Sequence, residues 1–221
     1  MTQHLTYYNC HSHRKPKLAN EICIRNSFLT LPKNAALPYF ISAGLHPWLV
    51  EKYAQQEVIE KLENALKHPK ILAIGEIGLD KFASNFDLQI RLFKLQVEIA
   101  SKHYLPILIH QVGMLSELGH NLNNFNGKLV LHGYQNHIQV WEQLAKKHSI
   151  YVSIGAAILH ENQKLVQTVR EIPLEFLLVE TDNSIVPIDV IYNKIAAIRQ
   201  CSLEGLCAQI EKNFKLVFAT Y

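Results

Sequence analysis

Cysteine pairs, long apolar runs and concentrated charge are all missing from this sequence. The four cysteines form no CxxC pair and do not have zinc-finger spacing; they are Cys10, Cys23, Cys201 and Cys207. No apolar run precedes a cleavage site near the amino terminus, and none is long enough to cross a membrane. We therefore predict a cytoplasmic protein with reduced thiols and no membrane partner.

The charge is nearly balanced and spread along the chain. The net charge is +3, and the 22 lysines and arginines form no dense basic stripe of the kind that dedicated nucleic-acid binders carry. The nearest approach to a run, Arg14–Lys17, is interpreted as a solvated loop. With 48% hydrophobic and 19% charged residues, the composition is that of a globular protein. We predict one domain over residues 1–221, a length that suits a (β/α)8 barrel of about 200 residues or more.

Histidine is abundant, with twelve residues, and short apolar runs alternate with amphipathic segments as in βαβ units. The apolar runs predict eight strands, at Thr6–Asn9, Ile22–Phe28, Tyr39–Leu45, Ile71–Glu76, Pro106–His110, Lys128–His132, Ile150–Ile154 and Phe176–Thr181. Helical periodicity predicts six helices, at Gln55–Lys67, Asp87–His103, His137–His148, Glu161–Glu171, Pro187–Gln200 and Ser202–Phe218. This order predicts an α/β fold, a TIM-type (β/α)8 barrel.

The first two connections between predicted strands are short. About a dozen residues separate the first strand from the second, and about ten separate the second from the third, whereas a parallel crossover usually takes a dozen or more. We therefore expect the barrel to be trimmed near its first one or two helices.

Two histidines end the first predicted strand. His11 and His13 are two residues apart, so in a strand both side chains point the same way and can converge on one ion. Taken alone, an H-x-H pair is also consistent with two surface histidines.

A carboxylate, Glu76, ends the fourth predicted strand between Gly75 and Gly78. Burying a carboxylate costs free energy unless it is paired or coordinated, and the glycines permit close approach of backbone or ligand. A structural alternative is that Glu76 caps the following segment.

Three further strands end in residues that can bind a metal. His110 and His132 each follow an apolar run, and Asp182 lies just past the last one. A lone histidine at such a position is more often a satisfied core residue than a ligand. However, five strand ends carry such residues, and the carboxyl ends of parallel barrel strands share one face. We therefore predict a divalent metal centre there, because cations relieve the cost of crowding these groups.

At these motifs the sequence resembles the TatD family of metal-dependent deoxyribonucleases, among the amidohydrolase-like hydrolases. The resemblance extends from about residue 7 to residue 218. It rests on His11-Ser12-His13, Gly44-Leu45-His46-Pro47, Gly75-Glu76-Ile77-Gly78-Leu79-Asp80, the residues Gln89, Phe93, Gln96 and Ala100, Pro106 to His110, His132, Glu180-Thr181-Asp182, and Asn213 with Phe218.

The resemblance implies a TIM-type barrel with up to two divalent ions. His11 and His13 with Asp182 would hold one ion, His110 and His132 the other, and Glu76 would bridge the two. Mixed histidine and carboxylate ligands suit zinc, manganese, iron or cobalt better than magnesium. We predict Asp182 and Glu76 as catalytic, with Asp182 accepting a proton from a metal-activated water, and His46 as a contact to the substrate phosphate. Lys15, Lys17 and Lys81 are weaker candidates for that contact.

The sequence departs from the family pattern at several positions. Asn9 stands where the family usually has aspartate, Val112 where arginine is common, Gly133-Tyr134 where Cys-Phe is frequent, and a short segment follows Asp182 instead of a long basic loop. Three functions therefore stay open. The first is a nuclease or phosphodiesterase acting on DNA, the second a hydrolase of a small ester, amide or phosphate, and the third a barrel that binds metal without catalysis.

Overall fold

Eight parallel strands, each hydrogen-bonded to the next along the chain, form the centre of the structure. The computed structural model describes residues 5–31, 36–122, 124–160 and 162–218. The strands are β1 Tyr7–Ser12, β2 Glu21–Asn26, β3 Phe40–Ala43, β4 Ile71–Asp80, β5 Ile107–Val112, β6 Lys128–Leu131, β7 Ser149–Ile154 and β8 Leu177–Val179. A parallel bridge between Ser12 and Asp182 brings the end of the sheet back to its beginning. The sheet thus forms a nearly closed barrel, which confirms the predicted fold class.

Helices follow most of the strands. Within the described residues the α-helices are α1 Gln55–Ala65, α2 Phe86–Lys102, α3 Leu115–Asn121, α4 Ile138–Ala145, α5 Gln163–Glu171, α6 Ile188–Arg199 and α7 Leu203–Phe218. Short 3-10 helices lie at Pro47–Lys52, Ala156–His160 and Leu174–Phe176. Among the helices described, none has the length and apolar character needed to cross a membrane.

The barrel is trimmed on the side of β1, β2 and β3. Residues 13–20 connect β1 to β2 without a helix, and the described part of the connection from β2 to β3 holds none. The eight residues from 13 to 20 are too few for a helical crossover, so the first helix is missing as the sequence predicted.

At Gly75 and Gly78, β4 lies so close to β5 that a side chain at either position would clash with β5. A Cβ atom at Gly78 would lie 1.8 Å from the carbonyl oxygen of His110, and one at Gly75 would lie 2.5 Å from the Cβ atom of Leu108. Glycine is therefore required on both sides of Glu76, because any larger residue would push β5 away.

Two buried glutamines on α2 fix the loops around the barrel rim. Gln89 accepts from the backbone nitrogen of Asp80 at 2.9 Å and donates to the Asp80 carbonyl at 3.1 Å. Gln96 accepts from the backbone nitrogen of Leu45 at 2.6 Å and donates to its carbonyl at 3.2 Å. These amides hydrogen-bond the backbone of Asp80 and Leu45, so they position the segments that follow β3 and β4.

The predicted elements match those observed, with differences at their ends. All eight strands are present, but β4 continues four residues beyond Glu76, to Asp80. Sequence periodicity missed α3, which has only seven residues. The predicted helix start at Glu161 lies outside the described residues, and the observed α5 begins at Gln163 with Asn162 as its N-cap.

Candidate metal centre

The structure brings the six predicted metal ligands together at the carboxyl end of the barrel. His11 lies in β1, Glu76 in β4 and His110 in β5, while the other three lie within three residues after the end of a strand. Those three are His13 after β1, His132 after β6 and Asp182 after β8. Residues far apart in the sequence therefore line one small volume, because all eight strands run in the same direction.

Glu76 is the centre of this cluster. Its Oε1 atom lies 2.7 Å from His132 Nε2, 2.8 Å from His110 Nδ1 and 3.3 Å from His46 Nε2. Its Oε2 atom accepts a hydrogen bond from Asn26 Nδ2 at 3.1 Å. The same oxygen lies 3.3 Å from His13 Nε2 and 3.5 Å from His11 Nε2. Each carboxylate oxygen thus faces a different group of histidines, as a bridging ligand requires.

Asp182 completes the side of the cluster formed by β1. Its Oδ1 atom lies 3.3 Å from His13 Nε2 and 3.7 Å from His11 Nε2. Its backbone has a left-handed conformation, with φ 50°, which aspartate tolerates better than most residues. Its backbone nitrogen donates to the His11 carbonyl at 3.0 Å, and its carbonyl accepts from the His13 nitrogen at 3.0 Å. The connection to β1 therefore directs this carboxylate toward the histidines.

Among the residues that the structure describes, three groups of histidine and carboxylate side chains have ligand atoms within 4.8 Å of one another. They are His11, His13 and Asp182; His11, Glu76 and His132; and His46, Glu76 and His110. The first group is the one that the resemblance implies for one ion. For the second ion the resemblance implies His110 together with His132. In the structure His132 instead groups with His11, and His110 groups with His46.

His11 is the clearest sign that the cluster fits an ion. Its side chain is 0% exposed, and neither ring nitrogen has a hydrogen-bond partner. A buried polar atom without a partner costs about 1–3 kcal/mol, so such atoms are rare unless something else satisfies them. Nitrogen and carboxylate donors at these spacings suit a divalent transition metal.

The carboxylates of the cluster are held in their charged form. Burial alone would raise the pKa of Glu76, but His132, His11 and His110 hold it well below its ordinary value. Burial opposes a charged His13, yet hydrogen bonds to Asp182 and Glu76 raise its pKa to about 9. Burial likewise works against ionisation of Asp182, and the neighbouring His13 and His11 lower its pKa. A cation that binds this cluster would be attracted by the ionised carboxylates and would replace the protons on the histidines.

His46 differs from the other histidines of the cluster. It is the N-cap of the 3-10 helix Pro47–Lys52, and its Nδ1 accepts from the backbone nitrogen of Trp48 at 3.1 Å. A neutral ring that accepts at Nδ1 carries its hydrogen on Nε2, the atom that faces Glu76. His46 therefore presents a donor to the cluster, whereas a metal ligand presents a lone pair.

Two buried carboxylates behind the cluster were missed as site residues. Asp80 lies 3.0 Å from His110 Nε2, and Glu180 lies 3.7 Å from His132 Nδ1 while accepting from the Gly133 nitrogen at 2.7 Å. Glu180 also accepts from the hydroxyl of Ser153. Both acids belong to the motifs around Glu76 and Asp182, but sequence alone does not show which histidine each one faces.

The cluster opens into a cleft of about 340 Å³. Its walls include Phe28 and Trp48, and the Trp48 side chain is 64% exposed. Two of the nearby basic residues are used within the chain, because Arg14 donates to the Asn183 carbonyl at 3.0 Å and Lys17 donates to that of Ile185. Lys81 lies over the ring of Phe82 at 4.8 Å.

The barrel and the cluster together define the class of this protein as a metal-dependent hydrolase. A family model described as TatD related DNase matches residues 23–219. The chain therefore belongs to the TatD family, which confirms the resemblance seen in its motifs.

Relatives and solved structures agree with this assignment. The chain is 29% identical over 159 residues to the uncharacterized metal-dependent hydrolase YjjV of Escherichia coli, covering 69% of this chain and 61% of YjjV. It is 30% identical over 185 residues to an uncharacterized metal-dependent hydrolase of Buchnera aphidicola, covering 78% of this chain and 69% of that protein. The human 3'-5' RNA nuclease TATDN2 is 29% identical over 63% of this chain, which is 19% of its own length. The crystal structure of YjjV has the same fold, with a TM-score of 0.82, 22% identity and 98% coverage of both chains.

Proposed function

We propose that this chain hydrolyses phosphodiester bonds in nucleic acid, with one or two divalent ions held by His11, His13, Glu76, His110, His132 and Asp182. The observation that carries the proposal is Glu76, whose carboxylate lies within 3.5 Å of nitrogens from five histidines. Such a centre is costly without a cation and has the ligand types of a catalytic metal site. We propose zinc, manganese, iron or cobalt as the ion.

The residues around the cluster have separate tasks in this mechanism. When bound, a divalent ion supplies Lewis-acid chemistry and lowers the pKa of water to about 7. Asp182, whose side chain is 42% exposed to the cleft, accepts the proton of the attacking water. As the water oxygen bonds to phosphorus, the opposite P–O bond breaks, and the leaving oxygen takes up a proton from solvent. His46, which lines the cleft, contacts an oxygen of the phosphate.

Support for a nucleic-acid substrate comes from the cleft and from relatives. The exposed ring of Trp48 at the cleft wall is suited to stacking against a base, a contact typical of proteins that bind single strands. A relative named as an RNA nuclease aligns with this chain. We also propose a cytoplasmic location, which the four free cysteines favour.

A second candidate is a hydrolase of a small ester, amide or phosphate. It is favoured by the internal use of Arg14 and Lys17, which bind backbone carbonyls near Asn183 and leave fewer cations for a phosphate backbone. The two candidates differ in the salt dependence of binding, because phosphate contacts release counterions. Oligonucleotide binding that weakens steeply with salt supports the nuclease, and binding that ignores salt supports the small substrate.

Asp182→Asn tests the proposal directly. We expect the variant to keep its fold and most of its metal, held by the other five ligands, while kcat for a model phosphodiester falls about 10²- to 10⁴-fold. Asp87→Asn, an exposed acid on α2, is the control and should behave as wild type. Elemental analysis and a nuclease assay across added metals measure both outcomes. Full activity in Asp182→Asn would remove Asp182 from the mechanism, and a wild-type protein that binds metal but cleaves no ester would support a non-catalytic barrel.

A further inference from the structure

Asp80 is a buried acid at the end of β4 that the mechanism above does not use. It is 2% exposed, yet three donors surround its carboxylate. Oδ1 accepts from the backbone nitrogen of Phe82 at 2.8 Å. Oδ2 accepts from Trp48 Nε1 at 2.6 Å and lies 3.0 Å from His110 Nε2. One carboxylate oxygen therefore joins an exposed aromatic side chain at the cleft to a candidate metal ligand.

The contact with Asp80 decides which nitrogen of His110 faces the centre. Because Nε2 is directed at Asp80, the other nitrogen, Nδ1, lies 2.8 Å from Glu76 Oε1. A carboxylate that holds the proton on one ring nitrogen leaves the lone pair of the other free for an ion. Without the Asp80 carboxylate, the Nε2 side of the His110 ring would lose the hydrogen bond that orients it.

We propose that Asp80 is the positioning residue for His110 and that the Trp48 indole N–H holds Asp80 in place, so that Trp48 and ion binding are coupled. The proposal rests on the metal centre proposed above. Trp48 then has a role besides contact with substrate, because its indole N–H holds the Asp80 carboxylate while its ring stays in the cleft wall.

A merely structural role for Asp80 predicts a different outcome. In that case the Oδ1 contact to Phe82, which closes the turn after β4, would be the one that matters. Asp80→Asn separates the two roles. The asparagine oxygen can still accept from Phe82, but the amide nitrogen that replaces Oδ2 presents hydrogens to the donors on Trp48 and His110.

The experiment measures ion binding by calorimetry with Mn²⁺ and with Zn²⁺, for wild type, Asp80→Asn, Trp48→Phe and the control Asp87→Asn. We expect Asp80→Asn to weaken the affinity for one ion about 10- to 100-fold, as loss of an outer acceptor to a ligating histidine does. Trp48→Phe keeps an aromatic ring and loses only the N–H, so we expect a smaller loss, of several-fold. The control should match wild type.

Tryptophan fluorescence provides a second readout that a structural role would not affect. The chain has two tryptophans, and Trp141 is buried with its Nε1 bound to the Ile150 carbonyl. In a Trp141→Phe background the emission reports Trp48 alone. We expect an ion-dependent change in that emission, and we expect Asp80→Asn to remove it.

The outcomes are distinguishable. Wild-type affinity in folded Asp80→Asn overturns the positioning role. Should Asp80→Asn fail to fold, wild-type affinity in Trp48→Phe together with ion-independent Trp48 emission overturns it as well. Absence of ion binding by the wild type overturns the proposed metal centre and this inference with it, whereas ion binding without any hydrolysis affects only the proposed reaction.

Discussion

Asn213 and His11 are both buried polar side chains, but they lie at opposite ends of the barrel and differ in their partners. Asn213 on α7 donates to the carbonyls of Leu174 and Leu177 at 2.7 Å each, and Leu177 is the first residue of β8. It also accepts from Gln209 at 2.7 Å. Neither ring nitrogen of His11 has a hydrogen-bond partner, although Nε2 lies 3.5 Å from Glu76 Oε2 and 3.7 Å from Asp182 Oδ1. A polar group that the chain satisfies supports the fold, while one left unsatisfied beside carboxylates indicates a position for an ion.

The largest test of this comparison is removal of the ion. A free ion concentration of about 1,000 times the dissociation constant should raise the free energy of unfolding by about 4 kcal/mol, because the ion binds only the folded centre. For a chain of this size that corresponds to a rise in Tm of about 10 °C. Calorimetry with and without a chelator measures the rise, with Glu76→Gln as the control that should show none. Equal melting temperatures in both conditions would contradict the assignment of the His11 end to an ion.

A second test removes a partner from a satisfied group. Asn9 Nδ2 donates to Glu21 Oε1 at 2.7 Å and to Thr181 Oγ1 at 2.8 Å, which joins β1 to β2 and β8. Asn9→Asp, the residue usual in the family, would bring two buried carboxylates together here. We expect a loss of about 3 kcal/mol in the free energy of unfolding, measured with urea.

Glu21→Gln is the matched rescue of that variant. The Glu21 Oε2 atom accepts from the Lys17 nitrogen at 2.9 Å, so a glutamine can keep that contact with its oxygen and donate with its nitrogen to the carboxylate introduced at position 9. The double variant should recover most of the lost stability. If Asn9→Asp alone proves as stable as wild type, the Asn9–Glu21 contact is not the reason for this departure from the family.

The smallest expected effects come from substitutions of Asn213 and His11 themselves. Asn213→Ala should lower the free energy of unfolding by about 1–3 kcal/mol, because two buried carbonyls lose their donor, and ion affinity should stay unchanged. His11→Leu should change the stability of the ion-free protein by less than about 1 kcal/mol, because the side chain loses only the long contacts of Nε2 with Glu76 and Asp182, at 3.5 and 3.7 Å. The ion-dependent rise in Tm should shrink. Urea titrations with and without Mn²⁺ measure both. A large loss of ion-free stability in His11→Leu would show that His11 serves the fold instead.

The sequence predicted much of the fold and the membership of the cluster. Continuous apolar runs gave the strands, and the shared direction of parallel strands brought His11, Glu76, His110, His132 and Asp182 to one rim. These deductions need only periodicity and topology. They also located the trimmed side, because the lengths of the first connections are visible in the chain.

The arrangement within the cluster needed coordinates. Grouping His110 with His46 depends on ring directions, and the hydrogen on His46 Nε2 follows from a contact to the Trp48 backbone. The facing of Asp80 toward His110 depends on β4 extending to that residue. The pairing of Asn9 with Glu21 depends on the register between β1 and β2, which no local pattern encodes.

The bridge between Ser12 and Asp182 has a consequence for how the domain is held shut. The first and last strands meet there through the backbone of His11, His13 and Asp182, which are also the side chains of one candidate ligand group. A cation bound by that group would link β1 to the segment that follows β8 and would stabilise the closure of the barrel. Slow amide exchange along β1 and β8 should then require the cation, whereas exchange within β4 and β5 should not.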